Sequence, residues 1–276
     1  MIKGEIFRVN FQERNLRFEV DLRDDGYGKD YWMRLAQGEY EPDTVALINI
    51  FSADDKCFID VGAANGAMSL IAASLGCEVI AVEPNKQVFS VLQRNVLLNV
   101  DLSMRIHLTN AILASEEEKI KGNESIFQRG LLTEITQEGS DEDTFKGVKV
   151  IDLKEILSFS SRQKFIIKID IEGAEWRLFQ SMKFIQELKN RHITVIIALH
   201  PGLHRPLESY TRTRNNLFKR PKLFWQLLNI RDAIRFFNNV SDFNLFRTNF
   251  SLVKDVKKFI SLVLGGTHEF ILIPKT

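Results

Sequence analysis

Cysteine is scarce in this sequence: Cys57 and Cys77 are the only two in 276 residues. Two cysteines in a chain this long make no disulfide framework, and no metal-ligand spacing surrounds them. Each stands at the start of a predicted buried strand, so both read as small core residues in a reducing compartment. Long apolar runs are missing as well. None reaches the roughly 18 residues needed to cross a bilayer. Met1-Ile-Lys-Gly-Glu carries no apolar signal core. The expectation is a soluble, cytoplasmic protein. Net charge is nearly absent, at +1, which removes any global pull toward nucleic acid or membrane. Charge is local instead. Residues 116–143 hold nine acids against three bases, and residues 201–262 hold twelve Lys/Arg against four acids. A basic C-terminal third implies an anionic partner or surface.

What is present is the composition of an ordinary globular protein, with 45% apolar and 26% charged residues. The first segment alternates. Phe7, Val9 and Phe11, then Leu16, Phe18, Val20 and Leu22, are set against Arg17, Glu19 and Asp21. That period of two predicts a hairpin with one wet face, turning over Gln12–Asn15. Asp24-Asp25-Gly26-Tyr27-Gly28 breaks it. A helix is expected from Pro42 through Ile50. From residue 57 short apolar runs alternate with helical stretches. Strands are predicted at Cys57–Val61, Glu78–Val82, Met104–Leu108, Phe165–Ile169 and Thr194–Leu199. Helices are predicted at Ala67–Leu75, at Lys86–Leu98 and from Glu172 to about Leu188. Strands joined by single helices imply a parallel sheet. The acidic stretch 116–147 interrupts this rhythm as an excursion or hairpin. The last third offers a helix near Trp225–Phe237 and strands near Phe243–Arg247 and Glu269–Ile273. The expected fold class is α/β: a Rossmann-like, doubly wound, mostly parallel sheet with an N-terminal β-hairpin and a variable C-terminal addition.

The most informative residues are Asp60-Val-Gly62-Ala-Ala-Asn-Gly66. They follow a buried strand and open a helix, the setting a nucleotide-cofactor turn requires. Gly62 and Gly66 let the backbone turn tightly and approach a ligand. Glu83 ends the second strand, where a carboxylate can accept both ribose hydroxyls of an adenosine. Charge separates the two cofactor classes that share this plan. A nicotinamide dinucleotide brings a pyrophosphate to the turn, which a neighbouring carboxylate repels. S-adenosylmethionine brings a sulfonium and an ammonium, which Asp60 suits. The glycine spacing also departs from G-x-G-x-x-G, since Ala64 replaces the second glycine. A turn that binds nothing is the bland alternative, and strand, turn and Glu83 together argue against it.

Three blocks resemble the FkbM-type methyltransferases. They are Gly38-Glu-Tyr-Glu41-Pro42-Asp-Thr44, then Phe58-Ile-Asp60-Val-Gly62-Ala-Ala-Asn-Gly66 with Val82-Glu83-Pro84-Asn85, and Lys168-Ile-Asp170-Ile-Glu172-Gly173-Ala-Glu175. The third is the most specific, because many unrelated methyltransferases share only the second. The likeness covers roughly residues 38–200. It implies S-adenosylmethionine as cofactor and O-methylation of a hydroxyl on a sugar, glycan or secondary metabolite. It implies a cofactor set of Glu41, Asp60, Gly62, Ala63, Asn65, Gly66, Glu83, Pro84, Asn110 and Ala111, with Glu83 on the ribose and Asn110-Ala111 near the adenine. Residues 1–37 are then a hairpin extension, 38–200 the cofactor-binding core, and 201–276 a basic segment that completes the sheet and the acceptor site.

Methyl transfer to a hydroxyl needs a positioned acceptor, excluded water and help with the proton. Asp170, Glu172 and His200 are the catalytic candidates, because they fall at the carboxyl ends of the fourth and fifth strands, where such sheets bind ligands. A histidine can act near neutral pH without a large shift, which favours His200; the competing reading is a structural histidine on a loop carbonyl. Glu175 reads instead as a solvated first-turn carboxylate favoured by the helix dipole. Lys168 is expected to reach a carboxylate or backbone group inside its strand. No metal is expected; His204, four residues after His200, is discounted because Pro201 and Gly202 spoil a helical pair. Arg212, Arg214, Lys219, Arg220 and Lys222 cluster with Phe218, Phe224 and Trp225. That cluster suits an anionic acceptor or peripheral membrane contact; nucleic acid is disfavoured. The readings held against the leading one are a NAD-dependent oxidoreductase and a non-catalytic nucleic-acid or membrane-surface binder.

Overall fold

The computed structural model describes residues 5–20, 28–116, 147–171, 174–200, 221–264, 267 and 269–275, with backbone alone for Val20, 28–30 and 221–229. The framework is a seven-stranded sheet. Five strands run parallel: β3 (Lys56–Val61), β4 (Glu78–Val82), β5 (Ile106–Thr109), β8 (Lys164–Ile169) and β9 (Thr194–Ala198). β11 (Glu269–Pro274) lies between β9 and β10 (Phe243–Arg247) and runs against both. The spatial order is β10-β11-β9-β8-β3-β4-β5. The chain leaves β3 for β4 on one side and returns as β8 on the other. That reversal opens a crevice at the carboxyl ends of β3 and β8, the usual ligand position in open α/β sheets.

The period of two along each strand sorts its side chains into two cores. Cys57, Ile59, Val61, Ile167 and Val195 face one layer; Phe58, Val79, Ile166 and Ile196 face the other. Both faces are covered, so these strands read as unbroken apolar runs. Over the first face lie α6 (Leu153–Leu157), α7 (Glu175–Leu178), α8 (Met182–Asn190), α9 (Pro221–Asn239) and α10 (Val256–Leu264). Over the second lie α1 (Gly28–Gln37), α2 (Pro42–Phe51), α3 (Ala67–Ser74), α4 (Lys86–Leu98) and α5 (Val100–Ser103). Asn85 caps α4 by accepting from the backbone N–H groups of Gln87 and Val88.

The hairpin belongs to the second layer. β1 (Glu5–Phe11) and β2 (Arg14–Val20) pair antiparallel, with Val9 opposite Leu16. Val9, Leu16 and Phe18 are buried, and Phe18 packs 5.2 Å from Trp32 of α1. The turn is tighter than the pattern suggests: Gln12 takes a left-handed φ of 49°, and pairing resumes at Arg14. α4 closes the outer edge of β2. Asn99 accepts from the Arg17 N–H and donates to its carbonyl at 2.9 and 2.8 Å, and Asn95 accepts from the Glu19 N–H at 2.7 Å. Side-chain amides thus stand in for a missing strand partner.

Some boundaries differ from the sequence reading. The helix expected from Glu172 to Leu188 is two helices, α7 and α8, because Ser181 caps a new start by accepting from the Phe184 N–H. β5 begins at Ile106, since the turn of α5 displaces Met104 to the surface. α1, α6, α10 and the small parallel pair β6 (Ala111–Leu113) with β7 (Lys149–Ile151) were not anticipated. The acidic excursion beyond Glu116, Asp24–Tyr27, His204 and most of the basic cluster, including Arg212, Arg214, Lys219 and Arg220, lie outside the described residues. No described helix is long and apolar enough to cross a membrane.

Candidate active site

The glycine turn is built by contacts that forbid larger residues. Gly62 has φ 80°, and a Cβ there would lie 1.9 Å from the Asp170 carbonyl oxygen. The loops after β3 and β8 therefore touch at Gly62. Gly66 has φ 87°, and its Cβ would meet Leu92 of α4 at 2.5 Å. The N–H groups of Gly62 and Ala63 donate to the Val82 carbonyl, tying the turn to β4. Asn65 is buried, accepts from the Ala67 N–H at 3.1 Å and donates to the Tyr31 hydroxyl at 2.9 Å.

Glu83, just past β4, is 7% exposed. Its carboxylate accepts from the Ala64 N–H at 3.0 Å and the Asn85 N–H at 2.8 Å. Burial pushes its pKa up to about 7, against those two hydrogen bonds. Asn110 donates to the carbonyls of Glu83 and Pro84, at 2.8 and 3.0 Å. A largely apolar cleft of about 320 Å³ opens here, walled by Gly62, Val82, Pro84, Ala111, Ile112 and Ile171 among others. The structure therefore brings together Asp60, Gly62, Ala63, Asn65, Gly66, Glu83, Pro84, Asn110 and Ala111. Glu41 stands at the start of α2 in a left-handed conformation, φ 42° and ψ 52°. Its charge is felt at Tyr40, Lys168 and Asp60.

A buried row of charges crosses the sheet beneath the turn. β3 and β8 pair Asp60 with Lys168, and the Lys168 ammonium donates to Asp170 at 3.0 Å. Burial opposes that ammonium, yet Asp170, Asp60 and Glu41 outweigh it and hold its pKa above the ordinary lysine value. Burial likewise opposes the Asp170 carboxylate, and Lys168 with His200 outweighs it, leaving its pKa lowered. For Asp60 burial wins, and its carboxyl is raised despite Lys168 and Ser69. Its Oδ2 accepts from Ser69 at 2.6 Å, while its buried Oδ1 has no protein hydrogen-bond partner among the described residues.

Of the proposed catalytic group, Asp170 and His200 stand side by side; Glu172 lies outside the described residues. His200 Nε2 is 3.8 Å from Asp170 Oδ1, and Nδ1 is 3.2 Å from Glu175 Oε1. Glu175 corrects the sequence reading: it is fully buried, not a solvated first-turn carboxylate. Its spacing after Asp170 gave no sign of this, because α7 is turned into the sheet by Trp176 and Leu178, both buried. Tyr31 and Tyr40 were also missed. They meet edge to face at 4.4 Å beside Asn65 and Glu41, brought there by α1 and α2 without any sequence period.

Comparison with known proteins decides the family. The methyltransferase FkbM domain matches residues 60–218. This chain belongs to the FkbM methyltransferase family. S-adenosylmethionine is its cofactor, and the nicotinamide alternative falls away. The FkbM chain is also similar to solved structures. One is a precorrin-6y C5,15-methyltransferase from Geobacter metallireducens, at 16% identity and TM-score 0.33 over 57% of this chain and 60% of that one. Another is a TehB-like SAM-dependent methyltransferase from Corynebacterium glutamicum, at 9% identity and TM-score 0.41 over 89% of this chain and 95% of that one. A third is a geranyl diphosphate C-methyltransferase from Streptomyces coelicolor, at 11% identity and TM-score 0.38 over 99% and 90%. The chain thus spans 60% of the length of the first of these. No curated protein matches the sequence.

The residues present fit this cofactor. The unpartnered Oδ1 of Asp60 suits an ammonium better than a phosphate. Glu83 keeps lone pairs beyond its two backbone donors, since a carboxylate offers about four.

Proposed function

We propose that this FkbM protein transfers the methyl group of S-adenosylmethionine to a hydroxyl of a sugar, glycan or secondary metabolite in the cytoplasm. Asp60 and the glycine turn would hold the methionine part, and Glu83 the ribose. Glu41, Pro84, Asn110 and Ala111 would complete the cradle. When bound, the cofactor supplies an electrophilic methyl group on a sulfonium. The observation that carries the hydroxyl reading is the position of His200. It stands beside Asp170, whose backbone closes on Gly62 at the switch point of the sheet. A histidine there can take a hydroxyl proton near neutral pH. Glu172 is retained as a further candidate on family resemblance. The segment 201–276 is assigned to the acceptor side, since β10 and β11 extend the same sheet past His200. The two buried free cysteines, Cys57 and Cys77, support a reducing compartment.

The test is label transfer from methyl-tritiated S-adenosylmethionine into a fractionated metabolite and glycan extract, with the product linkage read by NMR. An O-methyl ether is expected. Label appearing only in N-methyl or C-methyl products overturns the hydroxyl assignment. His200→Ala should lower turnover by about 10²–10⁴, the range of general base catalysis, and unchanged turnover removes His200 from the role.

A further inference from the structure

The His200 imidazole lies between carboxylates carried by different elements. Nδ1 is 3.2 Å from Oε1 of Glu175 on α7, and Nε2 faces Asp170 after β8. The Lys168 ammonium stands behind Asp170 at 3.0 Å. Glu175 is fully buried, and the same Oε1 accepts the Ile171 N–H at 2.8 Å, so the carboxylate is anchored to the loop that carries Asp170. A carboxylate at hydrogen-bond distance from Nδ1 calls for a proton there. In the neutral ring the lone pair is then on Nε2.

Two acids and a histidine within 4.8 Å also suggest a divalent cation. The arrangement argues against one. Lys168 already places a positive charge on Asp170.

We propose that Glu175 is a positioning residue: it fixes His200 in the Nδ1–H tautomer and stabilises the imidazolium formed when Nε2 takes the acceptor's proton. The inference rests on the reading of His200 as base. In that step the acceptor O–H bond breaks and its proton goes to Nε2. The oxygen electron pair forms the O–CH3 bond while the S–CH3 bond breaks, its pair staying on sulfur. A buried carboxylate used this way contributes no contact to substrate or cofactor, so its removal should show in the proton chemistry and not in cofactor affinity.

The experiment is long-range 1H–15N NMR of the histidine side chains in the full chain with S-adenosylhomocysteine bound, titrated from acid to alkaline pH. His200→Gln assigns the signal among five histidines. The expected wild-type result is the Nδ1–H tautomer once the ring is neutral; the Nε2–H tautomer overturns the proposal without any variant of Glu175 being needed. Glu175→Gln should lower the His200 pKa by about 1–3 units, as expected when an opposite charge in contact is lost, while S-adenosylhomocysteine affinity stays within about threefold. Glu175→Asp should restore most of the shift. An unmoved His200 titration in a folded Glu175→Gln overturns the proposal alone. Full label transfer by His200→Gln, in the extract assay above, overturns the base reading and the proposal with it.

Discussion

Single residues at the carboxyl edge carry opposing demands of burial and charge. Glu83 is the clearest case, because burial raises its pKa to about 7 while ribose hydroxyls would bond best to its ionised form. The sign of the linkage follows. Below about 7 the ligand must displace a proton; above it none is released. S-adenosylhomocysteine affinity is therefore expected to rise with pH, by up to about tenfold per unit below pH 7, and then level off. Calorimetry across that range checks it, and a flat profile removes Glu83 from the ribose site. For folding the sign is the reverse of an ion-paired acid: stability contributed at this group falls as pH rises from the ordinary glutamate value through about 7. Gly62 makes a steric demand instead. Gly62→Ala should cost at least about 1–3 kcal/mol from the left-handed backbone, before its clash with the Asp170 carbonyl. Urea denaturation reads the loss, and a variant as stable as wild type would show that the two loops do not touch.

Among elements, the hairpin and α4 reach the cofactor turn through one buried amide. Asn95 accepts from Glu19 of β2 and donates to the Asn65 carbonyl at 2.8 Å. Asn95→Ala removes the side-chain partner of the buried Asn65 carbonyl, which should cost about 1–3 kcal/mol, and that of the half-buried Glu19 N–H. It should also weaken S-adenosylhomocysteine binding, because the Asn65 loop loses its brace. A variant that loses stability and binds normally would limit Asn95 to the hairpin. The cysteines test the sheet itself. Cys57 and Cys77 face opposite cores, so thiol counting under denaturing, non-reducing conditions should find two. Burial pushes the Cys57 thiol up to about 12, so it should react only after unfolding.

Across the whole molecule, one ligand at the switch point touches loops from both halves of the sheet. It should stabilise the fold by about 2.7 kcal/mol at a hundredfold excess over its dissociation constant. For a chain of this size that is a rise in Tm of roughly 5–10 °C. NAD at the same concentration should produce none. Scanning calorimetry with each ligand decides this, and an equal rise with NAD would contradict the charge argument from Asp60.

What the sequence determined by itself was whatever depends on near neighbours. Strand period, the Pro42 helix start, the Gly62–Gly66 turn and Glu83 at a strand end are short-range patterns, and β4, α4 and β10 fall at the predicted residues. Lys168 reaching a carboxylate was legible too, because a cation in a buried strand must be paired. Other features depend on contacts between segments far apart in the chain, which only the tertiary structure decides. Glu175 reads as a surface acid until α7 packs against the sheet and places it against His200, 25 residues away. Tyr31 meets Asn65 across 34 residues, and Asn95 meets Glu19 across 76. The direction of β11, reversed between β9 and β10, depends on which sheet edge remains open once the parallel strands are laid down, and no local pattern records that.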